Sequence, residues 1–245
     1  MTARPIRPVP LPIKFLVLDL GEMRPTFGLF AILLAAPAAA QQPAVDLTVD
    51  AITHGAFAGA PLPEPRWLAD GSAYLDLLAS PGGGSDIVRV NAATGATTIV
   101  APARALAGAD GAPLDVEGIV PSDDGSKILL FHNSVRVWRQ NTRGVYDVLD
   151  VASGRVTPLS TKPGLQMFAK FSPDGRRAAF VRDNNLFVTD LATHEERALT
   201  TDGSDVIING TSDWVYEEEL SVRDAFRWSP DSKKIAFWRF DQSPI

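Results

Sequence analysis

The chain has no cysteine among its 245 residues, so it forms neither disulfide bonds nor thiolate metal sites. It also lacks the His-Glu-x-x-His sequence of zinc peptidases and the acidic loop of EF-hand proteins. No metal or other cofactor is therefore predicted. The Gly-x-Ser-x-Gly elbow, which exposes the nucleophile of many hydrolases, is absent. The chain has three histidines, His54, His132 and His194, and none is accompanied in the sequence by a serine or an acid in a pattern that suggests a catalytic triad.

Clustered positive charge is lacking too. The chain carries 23 basic and 29 acidic residues, a net charge of -6. Nucleic-acid-binding proteins need clustered Lys and Arg to neutralise phosphates, so no nucleic-acid partner is expected. Hydrophobic residues make up 45% of the chain and charged residues 21%, which is ordinary for one or two globular domains.

No apolar run is long enough to span a bilayer, which needs about 20 helical residues. The run Phe27–Leu34 follows Met23 and Arg24, and small residues ending at Ala40 come after it. This layout is typical of a secretory signal peptide. We therefore predict a signal peptide within residues 1–40, a true start at Met23, and a secreted or periplasmic protein. Residues 41–60 are predicted to be a linker or lead-in segment. The other interpretation is that residues 15–34 form a buried segment of the fold.

A turn sequence recurs through the remainder of the chain. An Asp-Gly pair followed by an apolar or alternating run occurs three times, with its glycine at Gly71, Gly125 and Gly175. A fourth copy has Ser232 in place of the glycine. The intervals are 54, 50 and 57 residues. A period near 50 built of short strands is typical of propeller blades. The sequence therefore predicts an all-β fold for residues 61–245: an incomplete β-propeller of four-stranded blades, with about four blade equivalents.

One blade can be divided into strands from the sequence alone. Its predicted strands are 168–172, 177–182, 186–191 and 197–200, and Asp183-Asn184-Asn185 forms a turn. The later half of this blade resembles two earlier stretches, residues 87–100 and 146–159. Gly82-Gly83-Gly84 is interpreted as a hairpin loop. The apolar character of the strand after each Asp-Gly turn indicates packing on both faces.

The most unusual stretch is Asp213-Trp-Val-Tyr-Glu-Glu-Glu-Leu220, in which three carboxylates follow aromatic residues. A run of acids is usually a solvated surface. Two carboxylates can also bind one ammonium group through charge-assisted hydrogen bonds. A peptide's amino group, with a pKa of about 7.7–8, is largely ammonium at neutral pH. Such a site would accept only peptides with a free end. Trp214 and Tyr216 are expected to hold the segment against the propeller.

Residues from about 115 to 245 resemble the propeller of the dipeptidyl peptidase IV family, in the prolyl oligopeptidase clan. The resemblance rests on Asn209-Gly210, on the motif 213–220 and on Trp228-Ser-Pro-Asp231 in that order. It implies that Glu218 and Glu219 bind the substrate amine and that Glu217 is less suited to do so. Val137-Trp138-Arg139, followed by Tyr146-Asp147, is similar to a second family segment and implies that Arg139 binds a substrate carbonyl.

The resemblance further implies that the chain is the N-terminal substrate-recognition propeller of a serine-type dipeptidyl peptidase. Such an enzyme removes N-terminal dipeptides that have Pro or Ala in second position. The α/β-hydrolase domain with its Ser-Asp-His triad is absent from this chain, so the chain is not expected to hydrolyse peptides alone. The expected partner is a peptide with a free N-terminus, and the full-length protein is a possible homodimer. Two alternatives stay open: a non-catalytic periplasmic scaffold that binds a protein, and a related peptidase that releases tripeptides.

Overall fold

The computed structural model describes residues 46–58, 64–108 and 110–244. The predicted signal peptide and the start of the linker lie outside these residues. The chain divides into two units at residues 59 and 60. The first contains the short helix α1, Val49–Thr53, in which Thr48 accepts a hydrogen bond from the backbone N–H of Ala51 at 3.0 Å. Such a hydroxyl satisfies one of the free N–H groups at a helix start.

The second unit consists mainly of antiparallel β-sheet. Within residues 64–108 and 110–244, three four-stranded sheets follow one another, and the strands in each sheet pair in sequence order. The first holds β1 (Arg66–Trp67), β2 (Ala73–Ala79), β3 (Ser85–Asn91) and β4 (Thr97–Ala101). The second holds β5 (Val116–Pro121), β6 (Lys127–Val137), β7 (Gln140–Asp150) and β8 (Val156–Pro158). The third holds β9 (Met167–Phe171), β10 (Arg177–Arg182), β11 (Asn185–Asp190) and β12 (Glu196–Ala198).

A fourth region is built from two two-stranded ladders. One pairs β13 (Ile207–Asn209) with β16 (Arg239–Asp241), and the other pairs β14 (Phe226–Trp228) with β15 (Ile235–Phe237). Helix α2, Trp214–Leu220, lies between β13 and β14 in the chain. The predicted all-β fold of successive blades is confirmed, and the strands predicted for the third blade match β9 to β12 within two residues.

The repeated Asp-Gly turns explain why the blades look alike in sequence. Each joins the first strand of a blade to the second, and its glycine or Ser232 has a positive φ of 59° to 68°. In the second blade, the Ser122 hydroxyl donates to Asp124 at 2.7 Å and accepts from the N–H of Lys127 at 3.0 Å. The same contacts recur at Ser172 and Ser229. Local side-chain hydrogen bonds therefore fix the same reversal in three successive blades.

Hydrophobic clusters join each blade to the next. On β6, Ile128 and Leu130 belong to a cluster shared with the first blade, whereas Leu129 belongs to one shared with the third. On β10, Phe180 and Val181 likewise belong to different clusters, and Val181 packs with Phe226 of the fourth region. Because side chains alternate faces along a strand, a continuous apolar run fills both clusters. The expected packing on both faces is confirmed.

The described residues contain no helix with the length and hydropathy needed to cross a membrane.

Candidate amine-recognition site

Helix α2 begins and ends at residues suited to those positions. Asp213 caps its start, where Oδ1 accepts from the N–H of Tyr216 at 2.9 Å and Oδ2 accepts from the Gln242 side chain at 2.9 Å. Ser221 follows the last turn with a φ of 53°, and its N–H donates to the Glu217 carbonyl at 3.2 Å. The glutamates therefore lie on a capped two-turn helix within a β-rich region, which the sequence analysis did not predict.

The segments on either side of α2 hold its ends together. An isolated bridge pairs Thr211 with Asp224. The Thr211 hydroxyl donates to the Arg223 carbonyl at 3.0 Å, and the Ser212 hydroxyl donates to the carbonyl of Val222. The helix is thus the tip of a closed loop whose base is tied by backbone and side-chain hydrogen bonds.

Aromatic contacts attach this loop to the fourth region. The ring of Tyr216 lies 4.7 Å from that of Phe240 and 5.9 Å from that of Trp238, edge-on to the latter. Tyr216 therefore packs as expected. Trp214 is half exposed and lines a cavity next to the helix, so the expectation that it holds the segment in place is not met. It lies in the first turn, on a different side of the helix from Tyr216.

The three glutamates have three different environments. The Glu217 side chain is 6% exposed, and its Oε1 lies 3.1 Å from Nε of Arg223. The Glu218 side chain is 12% exposed, and its Oε2 lies 3.2 Å from Nε of Arg139. Glu219 is exposed and forms no ion pair within the described part of the chain. Successive helical residues point about 100° apart, so a run of three must face three directions.

Arg139 lies at the tip of the hairpin between β6 and β7. The turn forms because Trp138 takes a φ of 49°, and the Arg136 side chain donates to the Trp138 carbonyl at 2.8 Å. The side chain of Arg139 is 77% exposed, and its ion pair with Glu218 joins two stretches far apart in the sequence. The structure thus brings together Arg139 and Glu218, which the sequence analysis had named separately.

A cavity of about 250 Å³ is lined by residues of both the β6–β7 hairpin and the α2 loop, but Arg139, Glu218 and Glu219 are not among its lining residues. The β6–β7 hairpin contributes Trp138 and Arg143 to its lining, and the α2 loop contributes Asp213, Trp214 and Glu217. Aromatic faces and carboxylates are combined in the lining, and both can bind a cationic group.

The partner of Glu217 was not predicted from the sequence. Arg223 comes three residues after α2, and nothing in the local pattern indicates that its side chain turns back to the helix. A signal for the helix itself was available, because an Asp before an apolar and Glu-rich stretch is typical of a helix start.

His132 and His194 are not among the residues that line the cavity. His132 on β6 is buried, with Nε2 3.1 Å from Oδ2 of Asp147 on β7. His194 occupies an exposed turn with a φ of 58°, and His54 follows α1. Within residues 46–58, 64–108 and 110–244, no group of three potential metal ligands is close enough to hold an ion.

Comparison with known proteins gives the context of these motifs. The family model of the dipeptidyl peptidase IV N-terminal region matches residues 122–245, which include both the β6–β7 hairpin and α2. The chain belongs to this dipeptidyl peptidase IV N-terminal family. Membership confirms the resemblance drawn from the glutamate and Trp-Arg motifs.

Individual proteins that are similar to this chain support the same family assignment. Dipeptidyl aminopeptidase B of Saccharomyces cerevisiae is 38% identical over 138 residues, 56% of this chain. A probable dipeptidyl-aminopeptidase B of Aspergillus fumigatus is 36% identical over 155 residues, 62% of this chain. The crystal structure of Porphyromonas gingivalis dipeptidyl peptidase 4 superposes with a TM-score of 0.73 and 35% identity over 81% of this chain. The chain covers only 16% and 17% of the two aminopeptidases and 28% of the crystallised peptidase.

Proposed function

We propose that this chain recognises the free N-terminus of a peptide and serves as the substrate-recognition region of a serine-type dipeptidyl peptidase. The observation that carries the proposal is the Arg139–Glu218 ion pair with Glu219 exposed next to it on α2. In this role Glu218 and Glu219 bind the substrate ammonium, and Arg139 donates to a substrate carbonyl. The whole protein would remove dipeptides with Pro or Ala in second position. The chemistry of peptide cleavage would be supplied by a hydrolase domain.

Two carboxylates suit an ammonium better than one does. An ammonium has three N–H donors, and charge-assisted hydrogen bonds are about twice as strong as neutral ones. Like charges placed side by side also disfavour each other, so Glu218 and Glu219 gain from a cation bound between them. An acetylated N-terminus has neither the charge nor the three donors, so the site would reject blocked peptides.

Arg139 completes the site because it balances the charge of Glu218 while no peptide is bound. A guanidinium has five N–H donors in a planar fork. It can therefore keep its contact with Glu218 at 3.2 Å and still offer a donor to a carbonyl oxygen. A lysine would have to share a single nitrogen between the two partners.

The proposal is tested by binding of the tripeptide Ala-Pro-Ala to this chain, measured by calorimetry for the wild type and for Glu218→Gln and Glu219→Gln. Truncating one partner of a desolvated charge pair costs about 2–5 kcal/mol, and each 1.4 kcal/mol is about tenfold. We expect affinity to fall ~30-fold or more for Glu218→Gln. The fall should be smaller for Glu219→Gln, because water screens an exposed side chain.

Glu195→Gln is the matched control, since it removes the same charge from an exposed turn of the third blade. It should bind the peptide as the wild type does. Unchanged affinity in both α2 variants would refute the proposal.

We also propose that the protein is exported, as a secreted or periplasmic protein. The support is the sequence of residues 23–40, with its short apolar run and small-residue end. Mass spectrometry of the exported protein should find an N-terminus at Gln41, and an N-terminus at Met1 would contradict the prediction.

A further inference from the structure

We infer that Glu217, the first glutamate of the motif, is a positioning residue whose ion pair with Arg223 fixes the rotation of α2 and thereby aims Glu218 and Glu219 at the peptide. This inference rests on the proposed function. It assigns a task to the glutamate that is less suited to binding the amine, and to an arginine outside the motif.

The burial of the pair makes the two charges depend on each other. The side chains of Glu217 and Arg223 are 6% and 18% exposed. Within the described residues neither forms another ion pair, and Glu217 Oε1 and Arg223 Nη1 have no hydrogen-bond partner. The 3.1 Å contact is therefore an ionic one, without well-aligned hydrogen bonds. A buried charge that loses its only partner is strongly unfavourable, so either substitution should make the remaining side chain move towards water.

The position of Arg223 in the loop explains how its ion pair with Glu217 can orient α2. Arg223 belongs to the base of the loop, where its carbonyl accepts from Thr211 at 3.0 Å and the next residue, Asp224, bridges to Thr211. Glu217 lies in the middle of α2. The ion pair thus links the helix to a part of the loop that is itself held in place. Tyr216, packed on Phe240, gives a second attachment.

Helix geometry transmits this constraint to the neighbouring glutamates. Side chains on a helix extend about 5–6 Å from its axis, so a rotation of about 20° moves a carboxylate by roughly 2 Å. A misplacement of about 1 Å can cost as much as 100-fold where groups must be aligned. If Glu217 moved outward, Glu218 would be carried away from Arg139, which it now contacts at 3.2 Å.

The pair also sets the charge of the site. Three adjacent carboxylates would repel one another, and Arg223 neutralises the one that faces inward. Two carboxylates then remain for the amine, with Arg139 beside them.

The test compares the ratio of dissociation constants for N-acetyl-Ala-Pro-Ala and free Ala-Pro-Ala in variants of this chain. Arg223→Met keeps the length and apolar stem of the side chain but removes its charge. We expect this variant to lower the ratio about tenfold, because it should weaken the binding of the free peptide and leave the binding of the acetylated peptide unchanged. Arg223→Lys restores the charge and should recover most of the ratio, which a loss of packing alone would not explain. Arg197→Met, on the exposed side of β12, removes the same charge elsewhere and should leave the ratio unchanged.

Folding is followed by thermal melts of every variant. If Arg223→Met does not fold, the double variant E217Q/R223M takes its place, because it leaves no unpaired charge. It should fold and still show a ratio reduced about threefold or more, since the ionic link is missing. A wild-type ratio in whichever of these two variants is folded would overturn the inference.

The failure of the inference can be separated from the failure of the proposed function. If Glu218→Gln and Glu219→Gln reduce the ratio but a folded Arg223→Met does not, the amine site stands and the positioning role is wrong. If none of these variants changes the ratio, both are wrong.

Discussion

The buried ion pair between Arg182 on β10 and Glu196 on β12 should be one of the strongest single supports of the third blade. Their side chains are 6% and 5% exposed, with Nη2 of Arg182 2.5 Å from Oε1 of Glu196. The Ser160 hydroxyl, from the connection between the second and third blades, also donates to Glu196. The guanidinium lies 4.2 Å from the ring centre of Phe187. We predict that Glu196→Gln destabilises the chain severely.

The magnitude follows from this burial. Burial raises the pKa of Glu196, but hydrogen bonds from Arg182 and Ser160 and the charges of Arg182 and Lys162 outweigh it and hold the pKa below its usual range. The carboxylate is therefore charged at neutral pH. Removing one partner of a buried pair costs about 3–5 kcal/mol, because the other charge stays in the interior. Glutamine can still accept from Arg182, which favours the lower end, about 3 kcal/mol.

Urea unfolding followed by circular dichroism measures this loss. With an m value of about 2 kcal/mol/M, a loss of 3 kcal/mol lowers the midpoint by about 1.5 M. Glu64→Gln is the control: it breaks an exposed pair with Arg66 at 3.4 Å, which is worth about 0–1 kcal/mol. The double variant R182M/E196L, which leaves no charge, should recover most of the loss. A midpoint shift below about 0.5 M for Glu196→Gln, or no recovery in the double variant, would refute the reasoning.

Three further predictions concern the turns and a close approach between strands. Hydrogen bonds from neighbouring serines hold the pKa of Asp124 at about 2, so its contribution to stability is complete above pH 3.8 and is lost as the pH falls through 2. Melting temperatures from pH 5 to pH 2 should therefore fall less for Asp124→Asn than for the wild type. Gly144→Ala should lose about 1–3 kcal/mol in urea titrations, because its Cβ would lie 2.5 Å from the Phe131 ring. His194→Gly should stabilise the chain by about 0.5 kcal/mol and so raise its melting temperature slightly, because His194 has a φ of 58° in a turn where the second blade has Gly154. A lower melting temperature would contradict this prediction.

The blades could be predicted because their signal is local and repeated. The turn around Asp174 is fixed by side chains within a few residues of it, so the same short sequence gives the same reversal each time. The apolar run Arg177–Arg182 similarly reports burial on both faces. Even the turn Asp183-Asn184 was evident, because both residues adopt positive φ, which asparagine and aspartate tolerate best.

The site could be predicted only as separate motifs. The contact between Arg139 and Glu218 depends on how a hairpin of the second blade leans towards a loop of the fourth region, and no local pattern records that. The ion pair of Glu217 with Arg223 depends on the fold of the loop itself. Helix α2 was not predicted because its two turns are too short for a clear period.

The most direct test of amine recognition is calorimetric titration of the wild-type chain with Ala-Pro-Ala and with its N-acetylated form at pH 7 and pH 9.5. We predict binding of the free peptide at pH 7 and much weaker binding of the acetylated one. The free peptide should also bind more weakly at pH 9.5, because the amine loses its proton at a pH of about 8. Equal affinity for the two peptides at pH 7 would refute amine recognition by this chain.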